Sequence, residues 1–204
     1  MGAISLDKLG KIKNLYYEKQ LSCLQISVKL GVSIGAVYAF MRRYGLPRRT
    51  TSENDAIRFA AKKPSFTLPK SFTPEQEKLR IMGVMLYWAE GYKAAGAHCI
   101  DFANSNPLMI RLFARFLREI CGIDEAKMHG YLYCYANQNA NELTNFWSDQ
   151  TGIPKNQFTK PYIRQDFDSR KKDRMRFGLL HIRYYDKKLL VLLLQWIAEY
   201  AAIE

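Results

Sequence analysis

Residues 81–93 read IMGVMLYWAEGYK, an apolar stretch that ends in an acidic residue followed by glycine. Across residues 74–90 the apolar positions recur at intervals of three and four, which is the period of a helix with one buried face. Pro74 suits the first helical position and Gly91 suits the helix end. The pattern therefore predicts a helix that carries Glu90 at its C-terminal end.

The segments after this helix alternate between extended and helical patterns. Strands are expected near residues 98–103, 127–135 and 176–184, and helices near 106–121, 141–151 and 187–201. Residues 158–163 are extended but contain Pro161, so we expect an edge strand or a loop there. Helices and strands mixed in this way, with strands in pairs, predict an α+β domain over residues 71–204.

A second informative stretch, residues 25–43, reads QISVKLGVSIGAVYAFMRR. Its apolar positions are spaced as two short helices around a tight turn require. Gly31 falls where the chain must reverse, and Ser33 suits the N-cap of the second helix. With an earlier helix near residues 7–19, this pattern predicts a three-helix helix-turn-helix domain over residues 1–50. The alternative is a three-helix bundle without a ligand, and residues 51–70 are expected to form a basic linker.

The charge of the chain is strongly positive and unevenly distributed. Lys and Arg number 31 against 19 Asp and Glu, a net charge of +12, and residues 1–70 hold 13 basic against four acidic residues. Such a field favours a polyanion, which could be DNA, RNA or an anionic membrane surface. No run of 18 apolar residues and no signal-peptide pattern is present. The four cysteines are scattered and form no CxxC pair, so they predict neither a zinc site nor a disulfide framework and indicate a reducing cytoplasm. With DNA as the partner, we expect a cytoplasmic, nucleoid-associated protein.

Residues 25–43 resemble helix-turn-helix domains of the resolvase and transposase kind, whose second helix enters the major groove of DNA. The groove-facing set includes Ser33, and only Tyr38 and Arg42 in it can make strong hydrogen bonds to bases. Small residues occupy the other groove-facing positions, so the domain is expected to anchor the protein more than to select a sequence. Phosphate or minor-groove contacts are expected from Arg43, Arg48 and Arg49.

Residues 81–93 resemble the motif of the LAGLIDADG homing endonucleases, with Ala89, Glu90 and Gly91 at the positions of the closing Ala-Asp-Gly. The resemblance covers about residues 75–201 and implies an αββαββα domain. In that family two motif helices, from two subunits or two repeats, pack side by side. The single motif here implies a homodimer through helix 75–90 and a near-palindromic site. Small residues let such helices approach closely; Gly83 and Ala89 are small here, whereas Met85, Tyr87 and Trp88 are large.

The same resemblance implies a Mg²⁺-dependent endonuclease that cuts double-stranded DNA at specific sites. Glu90 would be the metal ligand, and Lys93 or Lys160 would stabilise charge at the phosphate. The sheet face opposite the helices would contact DNA through Lys127, Tyr131, His181 and Arg183. The flanking basic residues would be Lys155, Lys160, Arg164 and the run Arg170, Lys171, Lys172, Arg174 and Arg176. The alternative is a transcription regulator that keeps the fold without the chemistry, and a third interpretation is an RNA-binding protein.

Overall fold

The computed structural model describes residues 4–165 and 175–202. The chain forms two compact units, residues 1–63 and 64–204, and each is described by itself. Among the described residues no single helix is long and apolar enough to cross a membrane. Two consecutive helices, Cys23–Leu30 and Ile34–Arg43, meet the length and composition criterion only as a pair that is bent by 108°.

The first unit consists of four α-helices. A short 3-10 turn leads into α1 (Leu9–Lys13), which continues as a π-helical turn over Asn14–Glu18; α2 (Cys23–Leu30), α3 (Ile34–Arg43) and α4 (Thr51–Ala61) follow. The buried side chains come from the first three helices and the turns beside them and include Ile12, Leu15, Tyr16, Ile26, Val37, Phe40 and Met41.

The turn between α2 and α3 has the local structure expected from its sequence. Gly31 ends α2 with a φ of 66°, a conformation in which a side chain would be strained. The hydroxyl of Ser33 accepts the backbone N–H of Ala36 and caps α3. At the start of α2, Ser22 and Gln25 form a reciprocal capping box. These caps fix where each helix begins, and the steep angle between α2 and α3 follows from the reversal at Gly31.

The boundary between the two units, at Lys63 and Pro64, falls within residues 51–70, where the sequence predicts a basic linker. Residues 51–61 form α4, which begins with a capping box between Thr50 and Glu53. From Pro64 onward the chain belongs to the second unit: Phe66 and Leu68 pack against its core, and the backbone N–H of Thr67 donates to the carbonyl of Cys121 over 3.1 Å. This segment packs against the second unit because its apolar residues alternate with polar ones, so that an extended chain buries one side.

The second unit is an α+β domain, as predicted. Its elements are α5 (Pro74–Glu90), β1 (Ile100–Asn104), α6 (Pro107–Glu119), β2 (Met128–Tyr135), α7 (Ala140–Thr151), β3 (Tyr162–Arg164), β4 (Leu179–Tyr184) and α8 (Lys187–Ala201). The four strands form one sheet in the order β1-β4-β2-β3. Pairing is antiparallel except between β2 and β3, which run parallel.

The strand arrangement differs from the expected αββαββα order. Where a first strand pair was expected, the described chain has β1 and a single bridge between Gly91 and Phe102. The intervening residues 92–99 are YKAAGAHC, a composition that is poor in the β-branched and aromatic residues that strands favour. The extra helix α7 and the short edge strand β3 separate β2 from β4 along the chain, although those two strands pair directly.

Burial alternates along the strands and defines two faces of the sheet. The inward-facing residues Phe102, Leu132, Ile182 and Tyr184 are buried against the helices. On α6, Phe113 stacks on Phe102 with ring centroids 4.2 Å apart. None of the described residues on the opposite face is buried. The helices therefore cover one face and leave the other one accessible.

Candidate functional site

The accessible side of the sheet is called here the open sheet face. On its strands it comprises Asp101, Ala103, His129, Tyr131, Tyr133, Tyr135, Tyr162, Arg164, Leu179, His181 and Arg183. The register places Asp101 opposite Arg183 and Tyr133 opposite Tyr162. Of the four residues on this side that the sequence singled out, Tyr131, His181 and Arg183 lie together on the face. The fourth, Lys127, precedes β2 and is half-buried.

Asp101 holds the two basic residues of the open sheet face. His181 Nδ1 lies 2.7 Å from Asp101 Oδ1, and Arg183 Nε donates to Asp101 Oδ2 over 2.7 Å. Burial raises the pKa of Asp101, but the hydrogen bonds and charges of His181 and Arg183 outweigh it and leave the pKa below its ordinary value. The carboxylate therefore fixes both side chains, and it leaves Nε2 of His181 without a partner among the described residues.

Aromatic rings occupy most of the rest of this face. The Tyr133 ring centroid lies 4.7 Å from that of His181 and 5.2 Å from that of Tyr162. The guanidinium of Arg183 lies 4.1 Å from the ring centroid of Tyr131, and the hydroxyls of Tyr131 and Tyr185 share a hydrogen bond. Burial, together with Tyr131, raises the pKa of Tyr185 to about 12, so the Tyr185 phenol is a neutral hydrogen-bonding group at neutral pH.

Sequence reasoning did not single out Asp101, Tyr162 or Tyr185. The pattern of β1 contained a signal for Asp101, because an acid that alternates with buried Ile100 and Phe102 must face the other side of the sheet. No local signal pairs Asp101 with His181, since 80 residues separate them along the chain. The basic residues Arg170, Lys171, Lys172 and Arg174 lie outside the described residues, and the exposed Arg176 stacks over Phe177.

Glu90 and Lys93 lie together at the C-terminal end of α5. The Lys93 ammonium donates to the carbonyl of Gly91 over 2.6 Å and to that of Tyr87 over 3.3 Å. A cation at this position binds carbonyls at the end of the helix and complements its negative end. Glu90 is exposed and makes no hydrogen bond or ion pair with any described residue. Lys160 is exposed before β3, and no such contact joins it to Glu90 or Lys93.

Glu90 does not complete a divalent-cation site within one copy of the chain. Mg²⁺ requires several oxygen ligands, and the carbonyl oxygens of Tyr87 and Gly91 are taken by Lys93. Over the part of the chain that the structure describes, no group of three or more His, Cys, Asp or Glu side chains is placed to hold a metal. Among the described residues, no second carboxylate contacts Glu90.

The outer side of α5 carries a row of apolar residues, called here the α5 stripe: Ile81, Met82, Met85, Trp88 and Ala89. Met85 is half-buried and the other four are exposed. The exposed fractions of Ile81, Met82 and Trp88 are 41%, 43% and 42%. Gly83 points the other way, because a Cβ on it would lie 2.1 Å from Cγ of Phe116. The small size of Gly83 therefore serves the packing of α5 on α6 within the chain, and not the approach of a second copy of α5.

The outer side of α3 brings together three of the residues predicted to bind DNA. The guanidinium of Arg48 lies 4.7 Å from the ring centroid of Tyr38, and Arg42 is exposed beside them. They border a depression of about 530 Å³ whose floor includes the small residues Gly35 and Ala39. Arg43 is exposed on the same helix, and Ser33 caps its first turn.

Arg49, the remaining predicted phosphate contact, is engaged inside the first unit. Its guanidinium donates to the carbonyl of Tyr16 over 3.2 Å, to Oε1 of Gln20 over 2.7 Å and to the carbonyl of Leu21. These contacts use the guanidinium of Arg49 within the fold, and a phosphate contact from Arg49 stays a prediction. Arg48, the neighbouring residue, remains exposed.

No protein family model matches this sequence, and no curated protein or solved structure is significantly similar to it. The candidate functional surfaces are therefore the outer side of α3 with Tyr38, Arg42 and Arg48 (the α3 surface), the α5 stripe and the open sheet face.

Proposed function

We propose that this chain is a double-stranded DNA-binding protein whose first unit contacts the duplex through α3. The observation that supports the proposal is the grouping of Tyr38, Arg42 and Arg48 on the exposed side of the second helix of a steeply bent pair. Arg42 suits a guanine edge, and Arg48, positioned by the Tyr38 ring, suits a phosphate. The charge of +12 supplies the attraction that such a partner requires.

The second unit is proposed to form a homodimer through the α5 stripe. An exposed row of Ile, Met and Trp side chains on one helix face is typical of a surface that another apolar surface covers. Two copies of α5 that pack side by side would bring both Glu90 side chains to the same end of the interface. Twofold symmetry would then give two α3 surfaces and a near-palindromic binding site.

The experiment for DNA binding uses the full chain and a library of duplexes enriched for binding, followed by affinity measurement at several salt concentrations. We expect Arg42→Ala to lower duplex affinity about tenfold and to relax the sequence preference, and Arg48→Ala to reduce the dependence on salt. Arg111→Ala, which removes an exposed arginine from α6, is the matched control and should leave both properties unchanged. Equal binding by all three variants would contradict the proposal.

Site-specific cleavage of DNA is a second candidate function. The exposed carboxylate of Glu90, without a partner among the described residues, favours it, and the α5 dimer would supply a second one. The test is incubation of the wild type and Glu90→Gln with a randomised plasmid library and Mg²⁺. Cuts that depend on Mg²⁺ and vanish in the variant support a nuclease. Specific binding without cuts supports the alternative, a transcription regulator.

A further inference from the structure

The open sheet face carries few of the side chains that read a double helix. Proteins read duplex DNA with long polar side chains that enter a groove and with Lys or Arg on the phosphates. No lysine lies on the four strands. Arg183 on β4 has its Nε on Asp101 and its guanidinium over the Tyr131 ring, and Arg164 on the edge strand β3 lies over the Tyr135 ring. Duplex recognition through α3 leaves this face without an assigned ligand.

The same face carries aromatic rings that form one connected surface. Tyr162, on the edge strand β3, exposes 60% of its area, and its ring lies beside that of Tyr133, which in turn lies beside His181. A row of rings across a sheet is a surface on which successive unpaired bases stack, because every base has an accessible π-face once it leaves the double helix. In a duplex those π-faces are covered by neighbouring bases.

Hydrogen bonds hold two rings of this face, those of His181 and Tyr131, in place before any ligand binds. Asp101 fixes the imidazole of His181 through Nδ1, and Tyr185 fixes the hydroxyl of Tyr131. Rings that are already ordered lose little conformational freedom when a base stacks on them. The free Nε2 of His181, at one end of the ring row, can form a hydrogen bond with a stacked base or its phosphate.

We propose that the open sheet face binds unpaired bases of single-stranded DNA, with Tyr133 and Tyr162 as the stacking residues. The proposal rests on the proposed function in taking DNA as the partner of this chain, and it assigns a different form of DNA to each unit. The chain would thus recognise a duplex through α3 and an adjacent unpaired stretch through the sheet.

The test measures binding of a fluorescein-labelled oligothymidine to the full chain by fluorescence anisotropy. Stacking on an aromatic side chain contributes roughly 5- to 150-fold in affinity per base, so Tyr162→Leu and Tyr133→Leu should each weaken binding within that range. The matched control is Tyr162→Phe, which keeps the ring and removes only the hydroxyl, and it should bind as the wild type does. Unchanged melting temperatures will show that the variants fold.

Three outcomes would overturn the proposal. The first is equal binding of oligothymidine by the wild type and both leucine variants. The second is a loss in Tyr162→Phe as large as that in Tyr162→Leu, which would assign the contact to the hydroxyl. The third is stronger ring-dependent binding of oligouridine than of oligothymidine, which would make RNA the ligand.

A duplex of matched length separates this proposal from the proposed function. We expect Arg42→Ala to weaken duplex binding and to leave oligothymidine binding unchanged, with the opposite result for Tyr162→Leu. A chain that binds the duplex but no oligothymidine disproves the stacking surface alone. A chain that binds oligothymidine but no duplex disproves the α3 proposal and supports the stacking surface.

Discussion

The guanidinium carbon of Arg49 lies 4.1 Å from the ring centroid of Tyr16, and the Tyr16 hydroxyl accepts the backbone N–H of Arg49 over 2.7 Å. Tyr16 is buried in the core of the first unit. Arg49 therefore joins the segment after α3 to the turn after α1, and its charge is used within the fold. Its neighbour Arg48 stacks on exposed Tyr38 instead, so two consecutive arginines have different functions.

Replacement of Arg49 should therefore destabilise the protein. We expect Arg49→Ala to lower the free energy of unfolding of the first unit by about 2 kcal/mol, because hydrogen bonds from a charged group are lost and the carbonyls of Tyr16 and Leu21 remain without them. Arg48→Ala, the matched control, should unfold as the wild type does and lose duplex affinity. Urea denaturation followed by circular dichroism measures the first effect. A wild-type unfolding curve for Arg49→Ala would contradict the structural function of this arginine.

The Asp101 carboxylate should stabilise the second unit in a pH-dependent way. Because its pKa in the folded protein lies below the ordinary value of 3.8, its contribution is complete above that value. The contribution is lost as the pH falls through the lowered folded pKa. We expect Asp101→Asn to cost about 2 kcal/mol at neutral pH, and the difference from the wild type should shrink below about pH 4.

The control for Asp101 is Glu119→Gln, which breaks an exposed ion pair with Arg115 on α6. Exposed pairs of this spacing contribute about 0.3–0.5 kcal/mol, so the variant should remain near the wild type at every pH. Urea denaturation at a series of pH values measures both variants. A constant difference between Asp101→Asn and the wild type down to pH 2 would show that the charge of Asp101 does not stabilise the fold.

Gly83 should not tolerate a side chain. The Cβ of Gly83→Ala would meet the ring and Cβ of Phe116 at less than 3.0 Å, so α5 and α6 must separate. We expect a loss of about 1–3 kcal/mol, the usual cost of overpacking a core. Gly10→Ala in α1, where nothing lies within 4 Å of the new Cβ, should stabilise its helix by about 0.5–1 kcal/mol. Equal melting temperatures for the two variants would disprove this packing argument.

Local patterns in the sequence predicted the elements well where caps and periodicity agree. Pro74 and Gly91 fix the ends of α5, and Gly31 and Ser33 fix the turn before α3, because each of these residues acts on backbone atoms a few positions away. The observed bounds of α5, Pro74–Glu90, confirm that prediction. The α+β class could be predicted because apolar residues recur with different periods in helices and in strands.

Features that depend on distant residues could not be predicted in this way. The contact of Asp101 with His181 requires the register of β1 on β4, which the packing of the whole sheet determines. Gly83 lies against Phe116 of α6, and the Arg49 side chain lies against Tyr16. Neither contact can be read from the residues next to it in the sequence. A sequence pattern shows that a residue is small or charged, whereas its contacts show whether the fold or a ligand uses that property.

The last prediction concerns the α5 stripe, whose apolar side chains lie exposed around Met82. If two copies pack through it, Met82→Glu would bury an unpaired carboxylate in the interface, which is costly. We expect the dissociation constant of the dimer to rise more than tenfold, as measured by sedimentation velocity over a range of concentrations. Leu108→Glu, which adds the same charge at an exposed apolar position of α6, should leave the dimer intact. A wild-type chain that sediments as a monomer at all concentrations, or equal dissociation in both variants, would disprove an interface through α5. Loss of dimerisation in Met82→Glu alone would favour it, and the two Glu90 carboxylates would then belong to one interface.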